Sequence, residues 1–460
     1  MSDFDEAALR PPSQDTAAGD TVRGQRSQGA ANGASTAAPA LFAPPPTAQA
    51  QSPTVRLTCH QGSAVMVSRS SLRDHLLFEV QAIADAAHAP VNIAFCIDRG
   101  EAVHGECLEA IRQACAAMVD SLQPQDVVSL VAFGETADVV MPARRAVDKA
   151  LIKDYIGRIG PGTGANLYEG LSLACNQAAA GRSPGALNRV ILVCGSAPRG
   201  ATREPAAFVS LADQQRNAGV AVTAIGCGEE FDAPLLAALA KRSGGAYAYV
   251  PQPALLAETI HSEVERLRRT VASNLRLRLN LSRGISVRQV YGAEVSVQSR
   301  TAEIDLVDLE SDSGLISLWD VEMTPHPGAT FRIARAMLTY DEPGGGQTHT
   351  LSCDIVKEFT ASEERVTDGV TLRVQAEVAA AETQRTLERM LRSGRDAQRH
   401  GAEVAAALRR VCVAYEAQGR ERIAGQIEQA ILNIQRGDSV EKTLVGVVLA
   451  LERGQTEGPG

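Results

Sequence analysis

Val91-Asn92-Ile93-Ala94-Phe95-Cys96-Ile97-Asp98-Arg99-Gly100-Glu101-Ala102 is the stretch that decides the fold. Residues 91–97 form a short, mostly apolar run without polar alternation. That is the pattern of a strand buried on both faces of a parallel sheet. Strand and helix signals alternate from there onward. A helix follows with Cys107, Leu108, Ile111, Cys115, Met118, Val119 and Leu122 on one face, at three- and four-residue spacing. Residues 127–133 read as a second buried strand, 167–180 as a helix, 189–194 as a strand and 205–218 as a helix. Residues 220–225 read as a strand, 232–242 as a helix, and 246–250 close the series before a helix that ends near Thr270. Alternation of this kind predicts an α/β fold, a doubly wound Rossmann-like sheet with helices on both faces. Such sheets bind ligands at the carboxyl ends of their strands, near the topological switch point.

The flanks read differently. Within 53–90, residues 55–59 and 76–80 look like short strands that belong with a later β-rich region. That region spans 273–370 and is β-sandwich-like, with strand signals at 275–281, 285–290, 314–322 and 330–340 and a turn at Asp341-Glu342-Pro343-Gly344. Residues 371–453 are rich in Ala, Glu and Arg, and Gly401, Gly419 and Gly437 mark breaks, which predicts a helical hairpin or bundle. A flexible tail is expected at 454–460. Residues 1–52, rich in Ala, Pro, Ser, Gly, Gln and Thr and including Pro44-Pro45-Pro46, are expected to be a disordered tail, because they offer too little apolar surface to offset ordering entropy.

Composition narrows the function classes. The 460 residues suit two or three domains, and 45% hydrophobic content supplies real cores. A net charge of −9 argues against a general nucleic-acid binder, which needs clustered Lys and Arg on phosphates. With 4% aromatic residues, base-stacking platforms are not expected. The nine cysteines are odd in number and lack CxxC spacing, so they read as buried, reduced thiols. No segment has the apolar length of a membrane span. The acidic start, Met1-Ser2-Asp3-Phe4-Asp5-Glu6, lacks the basic flank of a signal peptide, so a cytoplasmic location is expected.

Three segments carry the candidate site: Ile97-Asp98-Arg99-Gly100-Glu101-Ala102, Gly160-Pro161-Gly162-Thr163-Gly164-Ala165-Asn166-Leu167, and Val190-Ile191-Leu192-Val193-Cys194-Gly195-Ser196. Their order and spacing resemble the von Willebrand factor type A (vWA) family, above all bacterial proteins in which a vWA domain precedes a β-rich region and a helical tail. The resemblance covers most of residues 55–450, is strongest in 91–250, and places a vWA-like domain at 91–272. In that family an Asp-x-Ser-x-Ser strand end, a Thr in a Gly-rich loop and a Ser-Asp-Gly strand end hold a divalent cation. The ion keeps one coordination position for an acidic residue of a partner. The resemblance therefore implies a protein-binding module, not an enzyme.

This sequence departs from that ligand set. Asp98 matches the first carboxylate, but Gly100 and Ala102 replace the two serines, Ala165 the threonine and Gly195 the second aspartate. A hard cation such as Mg²⁺ wants about six oxygens, so a degenerate adhesion site without metal or other cofactor is expected. The predicted partner surface comprises Asp98, Arg99, Gly100, Glu101, Ala102, Thr163, Ala165, Asn166, Gly195 and Ser196, facing a protein partner that the sequence does not name. One alternative keeps Mg²⁺ on Asp98 with Glu101, Thr163 or Ser196. In another, the Arg99 guanidinium stands where the cation would be. A third alternative is a hydrolase or redox enzyme using Cys194 or an acidic group in the cleft, but Cys194 lacks a neighbouring histidine and no nucleophile, base and orienting group can be assembled. No P-loop, GxGxxG, Gly-x-Ser-x-Gly or His-Glu-x-x-His motif is present. His104 and His261 read as helix positions with surface or capping roles. Nothing in the sequence sets the oligomeric state.

Overall fold

The computed structural model describes residues 47–68, 72–85, 89–362, 371–392 and 401–457. The expectation of disorder for residues 1–46 lies outside them, as does the end of the expected flexible tail, residues 458–460. The described residues begin with four strands: β1 (Thr47–Gln51), β2 (Val55–Gln61), β3 (Val65–Val67) and β4 (Leu72–Ala82). Residues 47–51, expected within a disordered tail, instead pair antiparallel with β2 from Thr47 opposite His60 to Gln51 opposite Arg56. The polar composition misleads there because backbone groups, not side chains, hold an edge strand.

The α/β unit follows. It comprises β5 (Val91–Asp98), α1 (Glu106–Ser121), β6 (Val127–Phe133), β7 (Ala137–Arg145), α2 (Lys149–Gly157), α3 (Leu167–Ala180) and β8 (Leu187–Ser196). It continues with α4 (Pro205–Asn217), β9 (Val220–Glu230), α5 (Ala233–Ser243), β10 (Tyr247–Val250) and α6 (Leu256–Arg268). The sheet order is β10-β9-β8-β5-β6-β7, parallel except for β7 at one edge. Every residue of β5 is buried, as expected for a central strand covered on both faces. On one face Ile93, Phe95 and Ile97 pack with Leu108, Ile111 and Cys115 of α1 and with α2 and α6. On the other, Ala94 and Cys96 pack with Leu171, Ala174 and Cys175 of α3 and with α4 and α5.

The chain then returns to β structure: β11 (Thr270–Leu281), β12 (Ile285–Val290), β13 (Ser296–Gln298), β14 (Thr301–Asp305), β15 (Leu309–Glu310), β16 (Ser313–Met323), β17 (Ala329–Glu342) and β18 (Gln347–Thr360). Strand β11 alternates, with Leu275, Leu277 and Leu279 inward and Arg276 and Arg278 outward, the period-2 signature of a half-buried sheet. Two sheets result, β1-β2-β4-β16-β12 and β13-β14-β11-β17-β18-β3. One core joins them: Phe78 meets the buried Trp319 edge-on at 5.9 Å, within a cluster that includes Leu277 and Leu338. The sandwich is thus built from chain on both sides of the α/β unit, which is an insertion between β4 and β11.

Four helices follow: α7 (Leu372–Arg392), α8 (Gly401–Glu416), α9 (Glu421–Arg436) and α10 (Val440–Glu452). Val374 and Ala381 of α7 pack on Leu77 and Leu318 of the sandwich, whereas Leu449 of α10 joins the core of the α/β unit. Lys442 reinforces that second contact. Its Nζ donates to Glu229 Oε2 at 2.7 Å and lies 4.6 Å from the Phe231 ring centroid. Residues 455–457, expected in a flexible tail, form β19 (Gln455–Glu457) and pair with β16 from Ser313 opposite Glu457 to Leu315 opposite Gln455. The sandwich edge supplies the backbone partners that the sequence of the tail does not announce. Among the described residues, no helix is long and apolar enough to cross a membrane.

Candidate functional site

The sheet order reverses at β5, with β8 on one side and β6 on the other. In open α/β sheets this is where a crevice forms. Asp98, the last residue of β5, is fully buried there. Its Oδ1 accepts from the Gly100 N–H at 2.8 Å, and its Oδ2 accepts from the Gly195 and Ser196 N–H groups, each at 3.0 Å. An ionised carboxylate offers about four lone-pair sites, and backbone amides take three of them. Burial pushes the Asp98 carboxyl above its ordinary value, while the Gly100, Gly195 and Ser196 groups pull the other way. The side chain therefore ties the end of β5 to the end of β8.

The Gly-rich loop before α3 folds down over this tie. The Gly162 N–H donates to Arg99 O at 2.7 Å, the Asn166 N–H to Gly134 O at 2.6 Å, and the Gly164 N–H to Glu101 Oε2 at 3.0 Å. Gly164 has φ +74, a conformation that glycine adopts at little cost. A Cβ placed on Gly100 would stand 2.2 Å from Gly164 O, and one on Gly195 would stand 2.4 Å from Val103 Cγ1. The backbone of Gly100 itself is ordinary, with φ −68, so the obstacle is contact and not conformation. The space that two oxygen-bearing side chains would need is filled by a loop carbonyl and by Val103.

The sequence-predicted residues divide into three sets. Asp98, Gly100, Gly195 and Ser196 come together directly. Arg99, Glu101 and Ala165 stand around them: Arg99 pairs with Asp138, Glu101 lies 3.8 Å from Arg199, and Ala165 is buried with its carbonyl accepting from the Arg199 N–H at 2.7 Å. The Arg99 Nε is buried without a hydrogen-bond partner. Thr163, Ala102 and Asn166 do not join the cluster: Thr163 is exposed, Ala102 sits half-buried in a 3₁₀ turn, and Asn166 turns its amide to Glu169 at 2.7 Å. The sequence reading missed Asp138, Arg199 and His104. His104 does not lie on a helix. It follows the 3₁₀ turn, and its Nε2 donates to Gly162 O at 2.7 Å. The local signal was Gly105, which adopts φ +67 and separates that turn from α1.

This donor set does not suit a six-coordinate hard cation. One carboxylate already bound to three amides, with a carbonyl closing over position 100, leaves too few free oxygens. Among the described residues, the one group of Cys, His and acidic side chains close enough to share an ion is Cys412, Glu416 and Glu428 in the helical tail, where both glutamates are exposed. Cys194 is no activated nucleophile: it is buried, donates to Ser196 O at 3.2 Å, and burial pushes its thiol well up.

Comparison with known proteins bears on the fold. Residues 91–249 match the model of the von Willebrand factor type A domain. An uncharacterized protein of Synechocystis sp. is 23% identical over 273 residues, which is 57% of this chain and 64% of that protein, so the chain accounts for less than two thirds of that relative's length. Among solved structures, a von Willebrand factor type A protein from Catenulispora acidiphila superposes with a TM-score of 0.68 at 19% identity, covering 89% of this chain and 98% of the other. The ArnB paralog VWA2 from Sulfolobus acidocaldarius gives 0.62 at 14% identity, covering 87% and 98%. These likenesses extend over the sandwich and the helices as well as the α/β unit, and they concern the fold.

Proposed function

Taking as premise that this chain carries a von Willebrand factor type A domain, a protein-interaction module, we propose that it is a non-catalytic scaffold that grips a protein partner without a metal ion. The observation that carries this reading is the state of Asp98. Its oxygens hold the amides of Gly100, Gly195 and Ser196, and the Gly164 carbonyl closes over the position that a metal-binding hydroxyl would need. What remains at the surface is a charged rim formed by Arg99 with Asp138 and by Glu101 with Arg199. A partner carboxylate competing with Asp138 for Arg99 would meet a guanidinium where metal-binding relatives present an ion. Rim pairs of this exposure cost little to exchange.

The test is affinity capture on the full chain in the presence of Mg²⁺ and of EDTA, with an Arg99→Glu, Arg199→Glu variant alongside. We expect equal capture in both buffers and at least about tenfold weaker capture by the variant, the scale of a reversed interfacial charge. Capture that requires Mg²⁺ would contradict the metal-free reading, and capture untouched by the double variant would remove the rim from it.

A further inference from the structure

The nine cysteines follow no sequence motif, yet the fold brings two of them together. Cys107 is the second residue of α1, and Cys227 lies in the carboxyl half of β9. All nine cysteines are free, and the other eight are buried whereas Cys107 is partly exposed beside the exposed Gly105 and Glu106. The Sγ atoms of Cys107 and Cys227 are 3.2 Å apart. A disulfide needs about 2.05 Å, so the sulfurs have to approach by roughly 1.2 Å. Among the described residues, no other pair of cysteine sulfurs is in hydrogen-bond contact.

The two thiols are not equivalent. Cys107 sits in the first turn of a 16-residue helix, where unpaired backbone N–H groups favour a thiolate. The hydrogen bond between the two sulfurs lowers the Cys107 thiol and raises that of Cys227. A partly exposed, more acidic sulfur next to a buried one is the arrangement of an attacking and a resolving cysteine. The pair also lies close to the crevice: the Cys227 carbonyl oxygen is 3.2 Å from where a Cβ on Gly195 would stand, and Gly195 is one of the residues whose N–H holds Asp98.

We propose that Cys107 and Cys227 are a redox modification site, in which a hydroperoxide of the hydrogen peroxide class converts the two thiols into an intramolecular disulfide. The Cys107 thiolate attacks one peroxide oxygen. The O–O bond breaks, the sulfur becomes a sulfenic acid, and the departing hydroxide takes up a proton as the first water. The Cys227 sulfur then attacks the Cys107 sulfur. The S–S bond forms, the S–O bond breaks, and the hydroxide leaves with the Cys227 proton as the second water. Two thiols lose two electrons in total and one peroxide gains them. A dithiol reverses the change by exchange. The disulfide stitches the start of α1 to β9 behind the crevice loops. The site depends neither on a metal nor on the partner reading above.

The test uses the full-length protein under native conditions: exposure to hydrogen peroxide, blocking of remaining thiols with N-ethylmaleimide, digestion without reductant and mass spectrometry. The expected product is a Cys107–Cys227 crosslinked peptide that accounts for nearly all oxidised Cys107 and disappears with dithiothreitol, while the other seven cysteines stay reduced. In a Cys227→Ala variant, Cys107 is expected to stop at a sulfenic acid that dimedone traps. The wild-type measurement stands alone should that variant fail to fold. The proposal is overturned if Cys107 proceeds to sulfinic acid with Cys227 still free, if it crosslinks elsewhere in equal yield, or if it does not react.

Discussion

Two buried carboxylates, one in the crevice and one at the junction of the domains, behave in opposite ways. Asp98 is 0% exposed and Glu310 is 2% exposed, so burial pushes both carboxyl groups upward. Around Asp98, hydrogen bonds from neutral groups do not overcome that push, and its carboxyl stays above the ordinary range. Glu310, on β15, receives Arg266 from α6 at 2.9 Å, Arg422 from α9 at 3.2 Å and Arg269 at 3.5 Å, and the first two guanidinium groups pull its carboxyl below the ordinary range. The difference teaches where charge does structural work in this molecule. Asp98 acts as a tie between two strand ends. The acid that lies in no recognisable motif joins the α/β unit, the sandwich and the helical tail.

The largest expected effect breaks the junction. Glu310→Ala leaves three arginines around an emptied buried site and should cost about 3–5 kcal/mol, read as a lower midpoint in chemical denaturation. A loss below about 1 kcal/mol would mean that packing, not this cluster, holds the three parts together. The next effect sharpens the crevice side. Gly100→Ser should cost about 1–3 kcal/mol, because its Cβ meets the Gly164 carbonyl at 2.2 Å and a loop has to move. Ala102→Ser, in the half-buried 3₁₀ turn, should change stability by less than about 0.5 kcal/mol. Equal, small costs at both positions would show that the loop opens freely. Asp98→Asn comes third, at about 1–2 kcal/mol, since the amide keeps the shape but turns a donor towards one of the three N–H groups.

The smallest effect separates the two acids by pH. The folded-state carboxyl of Glu310 is lowered, so its contribution is present above the unfolded value and is lost as pH falls through the folded one. That of Asp98 is raised, so its contribution is present below the unfolded value and is lost as pH rises through the folded one. Denaturation midpoints followed into acid should therefore flatten in Glu310→Gln and steepen in Asp98→Asn. The same slope change in both variants would contradict the contrast.

Much of the fold was legible because it is written locally. The mostly apolar run at β5 and the three- and four-residue spacing of α1 depend on no distant partner. Strand β7 was not legible: it is an edge strand whose residues are mostly exposed or half-buried, with Met141 alone fully buried, which gives little apolar signal. Strands β1 and β19 are polar segments held by backbone pairing to β2 and β16. In the crevice, the absence of oxygen-bearing side chains at Gly100, Ala102, Ala165 and Gly195 could be read directly. What fills their place could not, because Gly164 lies 64 residues further along the chain from Gly100 and only the folded loop brings its carbonyl back. Likewise, Cys107 and Cys227 are 120 residues apart in sequence.

Calorimetric titration of Mg²⁺, and then Mn²⁺, into the full chain at millimolar metal tests the central claim most directly. The account predicts heats of dilution alone, identical for the wild type and Asp98→Ala. A saturable isotherm in the wild type that vanishes in Asp98→Ala would contradict it, and would return the crevice to the metal-dependent members of the fold.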